Sequence, residues 1–395
     1  MFPVKKIIME NILINRAKYF LLILLALSLL CHRRTFGSEQ TDAFVPVDQN
    51  SIPQILTMIG IRIKENYNKI HIWQGTKNIV RNSFYENAAE KKAFRAWKKI
   101  EGPLPEKIAT YSEQICEFTL DADKDMRFEN RRPIGTMKLI DLKTGREFEA
   151  KTPADTIMVA GSIRAIVRPD AHFEWNPVSR NKDDGTITRC RVVKQARPQG
   201  EITCGSGLYP VYDPRETFTV FASHLWDLFP RIISIINEKG SFGTGGQNLK
   251  VEEFKSGNVT KYRIIMPTKS HADSHDINFF NLVFSSEKGF NIISFSETSD
   301  NNKTFKKTTW EYDLVGGIYI PSQKIEMRFD EITSTLKEET ILTFSNQKVN
   351  EALSEDVFTY KNLGLKDGDI FIDKIDNKEY RYKATNKTLE PIEKK

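Results

Sequence analysis

The sequence predicts an α+β fold dominated by β structure: one large curved antiparallel sheet covered by a few helices. Three observations carry this. From about residue 108 onward, runs of alternating apolar and polar residues recur with turn signals between them. Only 51–69, 84–99 and 214–237 place apolar residues at the three- and four-residue spacing of an amphipathic helix. No repeat of fixed period and no low-complexity tract breaks the pattern.

The chain opens on Lys5, Lys6, Arg16 and Lys18, followed by the unbroken apolar run Tyr19–Leu30. A basic stretch before an apolar run of this length has the form of a secretory leader, and it is too short for the ~20 residues of a bilayer-spanning helix. Gly37 or Ser38 offers a small residue for cleavage before Glu39–Asp42, so 1–37 is expected to be removed and 38–50 to be a polar arm. Arg33 and Arg34 resist translocation, which keeps an uncleaved anchor open. Cys31 stands where a lipidated cysteine would, but Leu30 before it is a poor fit to that signal. The reading is therefore a periplasmic or otherwise extracytoplasmic protein.

Charge supports a soluble body without a nucleic-acid role. The chain has 58 Lys+Arg and 52 Asp+Glu, and the leader holds six of the basic and one of the acidic residues. What remains, 52 against 51, is nearly neutral, so the basic balance belongs to the leader and not to a binding surface. A hydrophobic content of 39% is enough for a sizeable core.

Along the body, Ser51 and Pro53 suit a helix start, and Ile55, Met58, Ile59, Ile63 and Tyr67 make its apolar stripe. A strand follows from Ile70 to Val80. The helix over 84–99 ends at Gly102-Pro103-Leu104-Pro105. Strands are expected at 108–120, 123–131, 136–142, 146–151, 155–168 and 171–175. Asp213 and Pro214 open the next helix. Strands then recur at 248–255, 259–266, 277–284, 289–297, 305–313, 318–329, 334–346 and 369–383. Cys190 and Cys204 flank the turn-like Arg197–Gly200, and an exported chain permits a bridge between them; two free thiols are the alternative. Cys116, in an alternating strand, reads as a small buried hydrophobe.

No pattern supports catalysis. Gly205-Ser206-Gly207 lacks the strand–turn–helix frame of a nucleophile elbow, and Gly243–Gly246 lacks the Lys-Ser/Thr of a phosphate loop. His271 and His275 lie in a polar stretch after Pro267, without the Glu that a zinc hydrolase needs. Asp121, Asp123 and Asp125 lack the Gly and terminal Glu of a calcium loop and read as a charged hairpin turn. No cofactor and no metal site is expected. What recurs is aromatic residues on strands, among them Trp73, Phe118, Phe128 and Trp175. On the concave face of a curling sheet these would line an apolar pocket; covered by the helices, they would be core.

Two regions resemble the periplasmic lipoprotein-carrier (LolA-like) superfamily. The first is Ile61–Gly75, a helix ending at Tyr67 whose short link enters a strand with Gln74-Gly75. The second joins Ile318–Ser322 to Asn350–Thr359 and Gly364–Asp369 and is similar to the closing strands of large secreted members. The resemblance implies a single half-barrel domain over 51–395, with additions near 83–107 and 180–210. It also implies a non-enzymatic protein that holds a lipid or lipoprotein acyl chain, with peripheral membrane contact. A signalling or scaffold protein contacting an envelope partner is the alternative, because a fold does not fix a task. N-terminal sequencing of protein from the envelope fraction should find a start between about residues 35 and 40. A start at residue 1 would refute cleavage, and a lipid-modified Cys31 would show an anchored protein instead.

Overall fold

The computed structural model describes residues 43–98, 100, 104–134, 137–148, 163–180, 187–197, 214–215, 225–237, 249–269 and 277–393. The leader and the start of the arm (38–42), Cys31, Cys204, the two glycine motifs and His271–Asp276 lie outside them. The body from Pro46 onward forms one compact unit. Among the described residues no helix is long and apolar enough to cross a membrane.

The helices are α1 (Ile52–Asn68), α2 (Ala88–Lys98) and α3 (Leu225–Asn237). After the two-residue strand β1 (Val45–Pro46), the first half of the chain gives β2 (Ile72–Tyr85), β3 (Ile108–Asp121), β4 (Met126–Pro133), β5 (Lys138–Asp141) and β6 (Arg146–Phe148). β7 (Ile163–Val167), β8 (His172–Arg180) and β9 (Ile187–Gln195) complete it. The second half gives β10 (Lys250–Ser256), β11 (Val259–Lys269), β12 (Ile277–Ser285), β13 (Ile292–Ser299), β14 (Thr304–Val315), β15 (Ile318–Phe329) and β16 (Leu336–Val349). β17 (Ile370–Asp373), β18 (Lys378–Lys383) and β19 (Thr388–Pro391) close the chain.

These strands form one sheet. β10 to β16 pair in sequence order as antiparallel neighbours, and β16 then pairs with β2. From β2 the sheet continues through β3, β4, β7, β8 and β9. β5 lies on the remainder of β3 and carries β6. The exception to antiparallel order is β17, which runs parallel to β9 and carries β18 and β19.

α1 begins as the sequence requires, with a shift in the cap. Ser51 belongs to a 3-10 turn, Gln49–Ser51, and makes no side-chain cap bond; Asp48 instead accepts from the Asn50 N–H at 3.3 Å. Ile52, Leu56, Ile59 and Ile63 form the buried stripe. Two asparagines then fix the helix's far end. The buried Asn66 donates to the Tyr319 carbonyl (2.7 Å) and accepts from the Tyr319 N–H (2.9 Å). Asn350 accepts from the N–H groups of His71 and Ile72 (both 3.0 Å) and donates to the Lys69 carbonyl (2.8 Å). Both contacts join the two regions that carry the family resemblance.

The sheet has a core on each face. One joins α1 and α3 to Trp73, Phe118, Leu120, Ile264, Leu282, Phe284, Phe295, Trp310 and Phe344. The other gathers Phe128, Ile166, Phe173, Trp175, Val192 and Phe371 with Phe358, Leu363 and Leu365. The register places them on opposite sides: Leu120 faces Arg127, while its chain neighbour Thr119 faces Phe128, and side chains alternate along a strand. A third small core lies under α2 (Phe94, Ile100, Ile108, Leu139).

Several expectations shift. α2 starts at Ala88, because β2 runs on through Tyr85 and Asn87 accepts from the Glu90 N–H at 2.8 Å as a cap. The strand expected over 369–383 is two, β17 and β18, joined by a turn in which Asn377 has φ 53°. Part of 180–210 is a full strand, β9. The expected Cys190–Cys204 bridge reaches Cys204, which lies outside the described residues. Cys190 itself is a buried free thiol that donates to Asp369 Oδ2 at 2.8 Å, and its backbone N–H donates to Oδ1 of the same carboxylate at 3.0 Å. Cys116 is a fully buried free thiol, as its strand position required.

Gly75 explains one piece of the resembling motif. It lies opposite Phe118, whose ring covers it; a Cβ there would sit 3.2 Å from Phe118 Cζ and 3.3 Å from the Ser345 carbonyl oxygen. Phe118 then packs edge-on to Trp73, with ring centroids 5.2 Å apart. Gly75→Val should destabilise the protein by about 1–3 kcal/mol through overpacking, read as a lower urea midpoint with unchanged slope. An unaltered midpoint would show that Phe118 moves freely.

Candidate functional site

The face that carries α1 and α3 is the candidate site, because the three helices among the described residues sit on it. Tyr85, Ile108 and Leu139 under α2 share that face with Ile79 and Thr110 by register and alternation. Between the two helical covers the sheet is exposed in part. There the floor turns from apolar to polar along each strand.

Of the four aromatics expected to line one pocket, the structure brings together two pairs. Trp73 and Phe118 meet on the helix-bearing face; Phe344 stacks on Trp73 and meets Phe118 edge-on. Trp73 is fully buried, and its Nε1–H donates to Gln347 Oε1 at 3.1 Å. Phe128 and Trp175 lie in the core of the opposite face, where the Arg164 guanidinium stands 5.1 Å from the Trp175 ring. All four side chains are buried. Aromatic content alone made them candidates; the strand register, which separates them, depends on the four-residue connection between β3 and β4.

α3 is the smaller of the two covers. Its Phe229 packs against Phe284 (5.9 Å between centroids) and over Gly60 of α1, where a Cβ would meet the ring at 3.3 Å. Trp226 packs edge-on against Tyr67 at 4.7 Å, and the Arg215 guanidinium lies 4.4 Å from the other partner of that contact, the Tyr67 ring. Tyr67 therefore has a physical role in the motif: it binds the end of α1 to α3. Pro230 lies within α3 and removes one helical hydrogen bond.

Residues that sequence reasoning missed form the polar strip beyond this core. Register aligns Phe280, Glu297, Lys306, Arg328 and Glu338 in one row. The adjacent row is Leu282, Phe295, Thr308, Glu326, Thr340 and Arg81. A third runs Trp310, Lys324, Leu342 and Ile79. Lys324 Nζ stands 2.8 Å from Glu326 Oε1 and 5.4 Å from the Trp310 ring centroid; Lys306 Nζ is 5.9 Å from that of Phe295. Burial pushes the Glu326 carboxyl up, but Lys324, Lys306 and Arg328 outweigh it and hold it below its ordinary range. The signal was present as Lys and Glu at alternate positions of strands whose other apolar residues are core.

Further along the same face, Glu129 pairs with Arg131 beside Cys116, whose thiol is pushed up to about 12 by burial and then by Glu129. His172 is fully buried, with neither ring nitrogen hydrogen-bonded, and desolvation lowers its pKa. Glu174, two residues on, is raised by desolvation. The turn carrying Asp123 and Asp125 joins β3 to β4; Asp123 pairs with His71 at 2.8 Å, and Asp125 with Arg127 and Arg197. Among the described residues no group of three or more His, Cys, Asp and Glu can hold a metal ion.

No family model matches the chain, and no curated protein matches it significantly. Several solved structures are similar to the chain. They include a LolA superfamily protein from Nitrosomonas europaea (10% identity, 77% of this chain and 98% of that one, TM-score 0.30). An outer-membrane lipoprotein-sorting protein domain from Vibrio parahaemolyticus is similar at 9% identity, 79% and 98% coverage and a TM-score of 0.29. A DUF1329 family protein from Desulfovibrio piger is similar at 9%, 78%, 98% and 0.28. At these TM-scores nothing about this chain's ligand or activity follows from them.

His172 yields a test with a definite sign. Its folded pKa lies below the usual value of about 6.5, so as pH falls through 6.5 the unfolded chain takes a proton that the folded chain refuses, and stability drops. His172→Leu should remove up to ~1.4 kcal/mol per pH unit of that loss between pH 6.5 and the folded pKa. At pH 7.5 it should leave stability unchanged or higher, since an unpartnered polar group is lost. Urea midpoints across pH 5–7.5 check both. A large loss at pH 7.5 would mean that the imidazole has a partner.

Proposed function

We propose that the protein is an exported, non-catalytic binding protein that holds an acyl chain or similarly apolar ligand on the helix-bearing face of its sheet. The observation that carries this is that the three helices among the described residues lie on one face, above a floor whose apolar residues continue from the fully buried core into half-buried positions. Ile264, Leu282 and Phe284 lie beneath the helices, and Met266, Phe280 and Leu342 beyond them keep part of their surface accessible. A chain entering there extends the apolar layer, and displacement of α3 lets it replace Phe229 and Ile232. Trp73 and Phe118 form the inner end of this floor. The resemblance of Ile61–Gly75 and the closing strands to lipoprotein carriers supports an acyl chain as the ligand, and the leader supports export.

Binding driven by methylene burial has a measurable signature. Each buried CH2 contributes about 0.8 kcal/mol, so affinity for a fluorescent acyl probe should rise about fourfold per methylene. Leu342→Asp should weaken binding about tenfold or more, because the carboxylate must be desolvated beside the chain, with the circular dichroism spectrum unchanged. Affinity independent of chain length, or no binding by the folded wild type, would refute the reading.

A further inference from the structure

The polar strip defines what kind of amphiphile fits the face, an inference that rests on the binding function proposed above. Among the described residues its rows present four cations, Lys306, Lys324, Arg328 and Arg81, against three carboxylates, Glu297, Glu326 and Glu338. None of the seven is fully buried. Two of the cations stand directly on the apolar floor: Lys306 over Phe295 and Lys324 over Trp310. The rings beneath these two ammonium groups are 2% and 4% exposed. A lysine held on an aromatic face is an adaptable charge, since that contact is worth only about 0.5–2 kcal/mol and the ammonium can swing to a stronger partner.

We propose that this strip is the head-group site for an anionic amphiphile. Its carboxylate or phosphate is received by Lys306 and Lys324, with Arg81 and Arg328 contributing at longer range. Its chain lies along Phe280, Phe295, Trp310 and Leu342. The two halves of the ligand are coupled: drawing each ammonium toward the head group lifts its stem off the ring beneath and opens that ring to the chain. Glu326, ionised and close to Lys324, limits the charge available and so sets the affinity. A neutral amphiphile gains the floor and leaves the cations as they are.

The test compares dodecanoate with methyl dodecanoate, and acetate and inorganic phosphate with both, by displacement of a fluorescent acyl probe from the full chain at fixed salt and pH 8. Dodecanoate should bind about tenfold more tightly than its ester, and acetate and phosphate should not displace the probe. The double variant Lys306→Gln/Lys324→Gln should abolish the preference by weakening dodecanoate alone. Glu326→Gln should strengthen it, which keeps the test decisive if the double variant does not fold. Equal binding of acid and ester, or a preference that survives the double variant, overturns the head-group site while leaving acyl binding intact. Displacement by acetate or phosphate overturns the amphiphile in favour of a simple anion site. Failure of both long-chain probes overturns acyl binding and the head-group site together.

Discussion

Where α1 is set down on the sheet decides the rest of the helix-bearing face, and two asparagine side chains decide where α1 is set down. A primary amide carries a donor and an acceptor at a fixed separation, so it can satisfy both polar groups of one residue's backbone. Asn66 does this for Tyr319 at the start of β15, and Asn350 does the equivalent for the link between α1 and β2. With both ends of that link held, Ile59 and Ile63 fall on the aromatic floor, and Gly60 is presented to Phe229. α3 packs on this arrangement through Phe229, Trp226 and Ile232.

The second constraint is that the sheet buries both faces in β3, β4, β7, β8 and β9. The closing segment makes this possible. Asp369 takes the N–H and the thiol of Cys190 and the N–H of Lys366, and Asp373 takes Lys194 and the N–H groups of Ile375 and Asp376. Two carboxylates thereby fix β17 parallel to β9 and draw Phe358, Leu363 and Leu365 over Phe128 and Trp175. Lys194 in turn helps hold Asp373 below the ordinary carboxylate range, against the opposing effect of burial. The face opposite the helices is thus sealed at this end of the sheet by the chain itself.

Much of the fold was legible. β15 occupies Ile318–Phe329 and α1 Ile52–Asn68, where apolar spacing put them, because strong period-2 and period-3.6 patterns survive any tertiary context. The turn at 374–377 was read through, because its flanks, Ile370–Asp373 and Lys378–Lys383, alternate in phase and only the left-handed Asn377 breaks them. The candidate site was less legible. Trp73, Phe118, Phe128 and Trp175 share a residue class, yet a strand delivers each side chain to one face or the other according to register. Lys306, Lys324 and Glu326 were invisible as a group because they come from two strands and meet only when β14 lies beside β15.

The sequence by itself determined most of the strands and helices, that the body carries almost no net charge, and that aromatic strands and amphipathic helices must share a core. These are local or additive properties, fixed by spacing and composition. The tertiary structure alone decided that Phe128 and Trp175 turn away from Trp73 and Phe118, that Cys190 is bound to a carboxylate, and that cations stand on the apolar floor. Each of these is set by pairing between residues distant in the chain, up to 276 apart where Val349 meets Trp73. A shift of one residue in such a pairing exchanges the faces, and nothing in the local sequence records it.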